Sequence, residues 1–261
     1  MILLACGENQ TPYAPYDSEA SDLCIPNLDG QLEASEFPLT VAGEADYWIA
    51  EDVNVTYRLG TDDQGTPIWT FTEVVDTATE QTLAVQSIQQ VGDTWYGSLF
   101  PRAEWVIAND QDQITVGLYA LDASALWMFG LVSPADQDAN RIVYQTEVPL
   151  LRFPLQEGDQ YQSEGIVEAG VSNGLPFSGT HRYTVSVGAR GELWLPSLRF
   201  TDVYRVDTQF EVIPTIGDAF WVRQRSFYSE CFGEIVRLQS AINESEVAFT
   251  NVAEIRILSV P

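Results

Sequence analysis

"VYRVDTQF", residues 203–210, alternates Tyr204, Val206 and Phe210 with Arg205, Asp207 and Gln209. A period of two, with aromatic and β-branched residues on one side and polar ones on the other, marks a strand that buries one face. The same beat runs through "YTVSV" (183–187), "VNVTYRL" (53–59) and "AEIRI" (253–257). Aromatic and β-branched runs fill the intervals: "PIWTFTEVV" (67–75), "DTWYGSLF" (93–100), "ITVGLYAL" (114–121) and "LWMFGLV" (126–132). Turn-forming clusters separate them, among them "TDDQGTP" (61–67), "SPADQDAN" (133–140), "QEGDQ" (156–160), "SNGLP" (172–176) and "IGDA" (216–219).

No segment sustains a 3.6-residue apolar period, and the best helix candidate, "ATEQTLAVQSIQQ" (78–90), reads equally well as a strand. The expected fold is mainly β: antiparallel sheets of about a dozen strands, as a sandwich or an open, curved barrel. "VPLLRFPL" (148–155) carries two prolines, which a central strand does not accept. It marks a seam between an N-terminal half (24–147) and a C-terminal half (148–261), and the sequence leaves open whether the halves share one core.

Charge narrows the partners. The chain has 38 acids, 12 bases and a net charge of -26, and every base is Arg. Residues 1–140 hold 23 of the acids and only two Arg, whereas residues 141–261 hold 15 acids and ten Arg. Such a surface repels phosphate backbones and anionic lipid head groups, so nucleic acid is not an expected partner.

The first residues, "MILLACGE", place Leu3, Leu4 and Ala5 before Cys6. They resemble the lipobox of bacterial lipoproteins, and the resemblance implies diacylation of Cys6. Only five residues precede Cys6, fewer than the ~7–15 apolar residues of a secretory leader, so the leader is read as trimmed or its start as misassigned. Residues 1–6 are the leader remnant and residues 7–23 an acidic, aperiodic tether. With Cys6 lipidated, Cys24 and Cys231 remain as an even pair for a disulfide in an oxidising compartment.

In "CIPNLDGQLEASEF" (24–37), setting Gly30 at the sixth position of a calcium loop aligns Asn27, Asp29, Gln31, Glu33 and Glu36 with ligand positions. Ile25 stands where the first carboxylate belongs, and no helical pattern flanks the loop. A structural calcium is therefore one reading and a polar turn the other. His181 is the sole histidine, and no nucleophile elbow, zinc motif or phosphate-binding loop is present. Its position at a strand start suggests an exposed turn residue. Arg199, Arg205, Arg223, Arg225 and Arg237 crowd the late strands, where cross-strand pairing with Asp202, Asp207, Glu230 and Glu234 is expected.

Three stretches of the C-terminal half, "FPLQEGDQY" (153–161), "LWLPSLRFTDVYRV" (193–206) and "RSFYSECFGEIVR" (225–237), resemble uncharacterised bacterial cell-envelope lipoproteins. The likeness rests on packing and turn residues. It departs at Tyr161, where the pattern has Trp, and at "SECFGE", where a proline turn is usual. It implies an antiparallel sheet at the envelope and no activity. The combined expectation is a non-enzymatic, lipid-anchored envelope protein of the outer membrane, with a binding or structural role and the membrane as partner through its anchor. The alternatives are an open-barrel carrier of a hydrophobic ligand and a surface adhesion or polysaccharide-binding module with structural calcium.

Overall fold

The computed structural model describes residues 24–38, 43–71, 78–110 and 114–259. Fourteen strands form one sheet: β1 (Gly43–Asn54), β2 (Arg58–Thr61), β3 (Pro67–Thr70), β4 (Thr79–Ser87), β5 (Trp105–Ala108), β6 (Val116–Leu121), β7 (Ala125–Val132), β8 (Arg141–Arg152), β9 (Gln160–Ser172), β10 (Leu175–Trp194), β11 (Arg199–Pro214), β12 (Phe220–Ser229), β13 (Gly233–Ser240) and β14 (Asn251–Ser259). Leaving out β2 and β3, each strand pairs antiparallel with its neighbour in sequence, and β14 returns to pair with β1. The result is a nearly closed, twelve-stranded antiparallel barrel to which both halves of the chain contribute.

The closure has one unsealed seam. Between β8 and β9 a single residue pair remains, Arg141 with Val171. Beyond it side chains bridge the strands. The Tyr161 hydroxyl donates to the Leu150 carbonyl at 2.9 Å and accepts the Arg152 N–H at 3.1 Å, while the Ser163 hydroxyl donates to the Pro149 carbonyl at 3.1 Å. Pro149 lies in the strand, where its missing N–H is tolerated because the β9 side of β8 is largely unpaired. The ring of Tyr144 rests against Gly165, where an added Cβ would come within 2.6 Å of it.

A ring of twelve strands is wider than the eight that side chains fill easily, and long residues meet inside it. The Tyr183 hydroxyl donates to the Met128 sulfur at 3.6 Å, and the Arg256 guanidinium donates to the Asn109 carbonyl at 2.6 Å. A large apolar cluster, including Leu126, Val148, Val185, Val187 and Val206, fills one side. The opposite side carries Arg256, 3% exposed, against Glu254 at 2.5 Å, and Arg237 against Glu234 at 2.7 Å. Burial works against the Arg237 charge, but Glu234, Tyr228 and Glu254 hold it above its ordinary range.

Two expectations need correction. "VNVTYRL" is not one strand: β1 ends at Asn54, and the chain leaves the barrel to build the β2–β3 hairpin, which docks in parallel against the last residues of β10. Tertiary packing overrides the local alternation there, since Val55 is buried and Tyr57 stacks on Phe71 at 5.0 Å. "DTWYGSLF" forms turns instead of a strand, and Tyr96 and Phe100 cap Val106, Leu118 and Val132. The ambiguous segment at 78–90 is mostly strand, followed by one helical turn at Ile88–Val91.

Removing one member of a buried ion pair strands the other. Arg256→Met is expected to lower unfolding free energy by about 3–5 kcal/mol, measured by urea denaturation. Adding Glu254→Leu recovers most of that loss, and equal midpoints for single and double variants would show that the pair does not act as a unit.

Candidate functional site

The two ends of the barrel are built differently. At one end, the segment 24–38 is clasped across the strand termini. Cys24 and Cys231 form a disulfide spanning 207 residues, with Cα atoms 5.3 Å apart. The Cys231 N–H donates to the Glu36 carbonyl at 2.8 Å, and Leu32, fully buried, exchanges backbone hydrogen bonds with Leu155. Phe37 inserts beside Phe153 and Tyr228, its ring 5.6 and 6.0 Å from theirs.

The five residues considered as calcium ligands lie in this clasp. Asn27 accepts the Asp29 N–H at 2.8 Å, and Asp29 accepts the Gln31 N–H at 2.9 Å, each closing a local turn. The Gln31 side-chain oxygen accepts from Gln156 at 3.0 Å, and Glu33 accepts from the Ser35 hydroxyl at 3.4 Å. Glu36 accepts the Glu33 N–H at 2.9 Å, and this capping interaction opens the 3-10 turn Ala34–Glu36. Burial pushes the Glu36 carboxyl above its usual range, with nearby Glu230, Glu33 and Asp29 adding to the effect. Among the described residues, no group of three or more His, Cys, Asp or Glu side chains could hold a metal ion. Cys6 and the 7–23 tether lie outside the described residues.

Glu230, beside Cys231, is the clasp residue that the sequence reading placed only as a partner for Arg. It is 1% exposed and accepts the Leu28 N–H at 2.9 Å through one oxygen, while the other has no partner. Of the five late arginines only Arg225 pairs across strands as expected, with Asp207; Arg205 pairs with Asp207 and Arg237 with Glu234 along their own strands, and Arg190, outside the expected set, takes Asp202. Arg199 instead stacks over Trp194 at 4.1 Å, and Arg223 donates to the Glu244 carbonyl.

His181 is the clearest departure from its expected place. It is 5% exposed, inside the barrel on β10, because its strand pairs on both sides and its face turns to the core. Its Nδ1 lies 2.9 Å from the Tyr144 hydroxyl, which lies 2.8 Å from the Tyr183 hydroxyl. Desolvation lowers the His181 pKa to about 4, and burial holds Tyr144 and Tyr183 far above the usual phenol range. A neutral ring carrying its proton on Nδ1 satisfies every contact: it donates to the Tyr144 hydroxyl, Tyr144 donates to Tyr183, and Tyr183 donates to the Met128 sulfur. The array is a packed core element with little solvent contact.

At the other end, opposite the clasp, the turns following β7, β9 and β11 border an open cleft of about 720 Å³. Hydrogen bonds lace this rim: across the seam the Gly174 N–H donates to the Ala139 carbonyl and the Asn173 N–H to the Asn140 side-chain oxygen, and between the ends of β10 and β11 the Thr215 N–H donates to the Ser178 carbonyl. Phe177, Pro176, Pro214 and Ile216 form the apolar part of the lining, and Arg141, Asp138 and Glu168 supply its charges. Arg141 is half-buried, and its side chain has no hydrogen bond or ion pair among the described residues. The sequence offered little signal for this site, since Arg141 is a single base following a turn. Comparison with protein-family models, curated proteins and solved structures finds no match.

Two outcomes test these assignments. Because the folded His181 pKa is depressed, the unfolded chain binds a proton that the folded chain refuses between pH 6.5 and about 4. This contribution is present above pH 6.5 and is lost as pH falls through that window, at most about 3 kcal/mol. Urea midpoints of His181→Gln are expected to fall less than wild type between pH 7 and 4.5, and parallel profiles would remove His181 as the cause. Separately, Cys231→Ser is expected to cost about 2–5 kcal/mol. Dithiothreitol should lower the wild-type midpoint similarly and leave the variant unmoved.

Proposed function

We propose that the protein is a non-enzymatic binding protein of the bacterial cell envelope, held to the outer membrane by a lipid on Cys6 and binding its ligand at the free rim of the barrel. The observation that carries this reading is the rim cleft with its half-buried, unpartnered Arg141. An Arg without a partner in a partly apolar cleft suits a site whose missing partner is a ligand.

The placement of the cleft supports the anchor. Cys24, the first described residue after Cys6, lies at the clasped end, and the cleft opens at the opposite end. The barrel wall supports it too, because Gln160, Gln162, Glu164 and Thr184 are exposed on the outer faces of β9 and β10. Such a face does not sit in hydrocarbon. Among the described residues, no helix is long and apolar enough to cross a membrane. The non-enzymatic part of the reading draws on His181, which is packed inside the barrel and held neutral, with the ring of Phe177 5.5 Å from its own. A carrier role fits the rim better than the lumen, since Tyr183–Met128 and Arg256–Asn109 contacts cross the lumen.

The test uses N-phenyl-1-naphthylamine, an uncharged fluorophore that brightens in apolar sites. Saturable binding to wild type is expected, weakened about ten-fold by Ile216→Glu, since Ile216 is 92% exposed on the rim and its replacement leaves the core untouched. Ile25→Glu at the clasped end should leave binding unchanged. Equal effects from both variants, or no saturable binding, would overturn the rim as the site. Intact-mass analysis of protein expressed from its natural gene start should show acylation at Cys6, and an unmodified mass would remove the anchor.

A further inference from the structure

Taking the rim cleft as the binding site, we infer that its ligand is a single-chain amphiphile with a zwitterionic head group. The anionic part would pair with Arg141, and the cationic part would lie between Asp138 and Glu168.

The argument starts from charges that the protein leaves unmatched. Arg141, Asp138 and Glu168 line one cleft, yet none of the three side chains has an ion pair among the described residues. Seven of the twelve arginines form ion pairs among the described residues, Arg182 with both Glu164 and Glu211, whereas Arg141 forms none although it shares its cleft with two acids. Opposite charges held in one concavity but out of contact with each other are set for a ligand that carries both signs.

Ligands of a single charge fit less well. A purely anionic head would meet two carboxylates on a chain of net charge -26. A purely cationic head would leave a half-buried guanidinium desolvated and unpaired, which costs binding free energy. A head bearing phosphate or carboxylate together with an ammonium satisfies all three groups, and Arg is suited to the bidentate contact with the anion.

The apolar part of the ligand follows from the rest of the lining. Phe177, Pro176, Pro214 and Ile216 present hydrocarbon, and Leu175 beside them is 69% exposed. A head group alone would leave these surfaces wet. A cleft of about 720 Å³ has the size of a small-molecule pocket and admits a chain as well as a head.

The experiment measures displacement of N-phenyl-1-naphthylamine by amphiphiles sharing one twelve-carbon chain, each below its micelle-forming concentration: dodecylphosphocholine, dodecyl phosphate and dodecyltrimethylammonium. Phosphocholine without a chain is the fourth arm. Dodecylphosphocholine is expected to displace the fluorophore about ten-fold more tightly than either singly charged amphiphile, and phosphocholine alone to displace little. Arg141→Gln should erase the advantage over dodecyltrimethylammonium, Arg141→Lys should keep part of it, and Glu168→Gln should shift preference toward dodecyl phosphate. Equal displacement by the three amphiphiles overturns the zwitterionic head while leaving the rim site standing. Phosphocholine acting as well as its dodecyl ester overturns the chain. Failure of the fluorophore to bind saturably brings down both the rim site and this inference.

Discussion

A nearly closed ring of twelve strands must fill its own interior, and the rest of the molecule depends on how it does so. Aliphatic side chains from opposite walls of so wide a ring do not meet unless the barrel flattens or long residues bridge it. Both walls supply long residues. Tyr144 reaches past Gly165 to His181 and Tyr183 on β10, Tyr183 continues to Met128 on β7, and Arg256 on β14 reaches Asn109 beyond β5. These bridges carry polar tips into the core, and each tip needs a partner. That is why hydroxyls, an imidazole and two ion pairs sit where a smaller barrel would have only valine and leucine.

A polar core specifies one arrangement strongly and tolerates error poorly. Most of its groups are satisfied, while Trp69 Nε1, the Tyr204 hydroxyl and one oxygen of Glu230 are buried without a partner. An orphaned buried group costs about 1–3 kcal/mol. The disulfide joining Cys24 to Cys231 acts in the opposite sense on the Glu230 side, restricting the unfolded chain and keeping residues 24–38 over the end of the barrel.

The asymmetry between the ends has the same origin. At the clasped end, Leu32 and Phe37 enter the core and the acidic residues of 27–36 spend most of their hydrogen-bonding capacity on local turns and caps. At the rim, no described segment covers Phe177 and Ile216 in the same way, and the unsealed β8–β9 edge begins there with its one remaining pair, Arg141 with Val171. The proposed binding site thus lies at the rim where β8 and β9 still pair, with the side chain of Arg141 left without an ion pair among the described residues.

The sequence by itself determined the class of structure. Alternation in 183–187 and 203–210 fixes strands with one buried face, and Cys24 with Cys231, read as an even pair, form the bridge, whereas Pro149, read as the mark of a seam between two halves, lies inside β8 and pairs with Trp127. Local patterning reports the strands because pleat and turn chemistry act over a few residues. Only the tertiary structure decided what those faces meet. His181 read as a turn residue became a core residue because sheet order placed it opposite Tyr144, 37 positions away. Val55–Tyr57 left its strand because a hairpin needed anchoring elsewhere, and Arg141 became notable only when the folded rim withheld a partner. A period of two tells a strand which residues share a face, but the closure of the ring chooses which face turns inward and which residues, distant in the chain, it finds there.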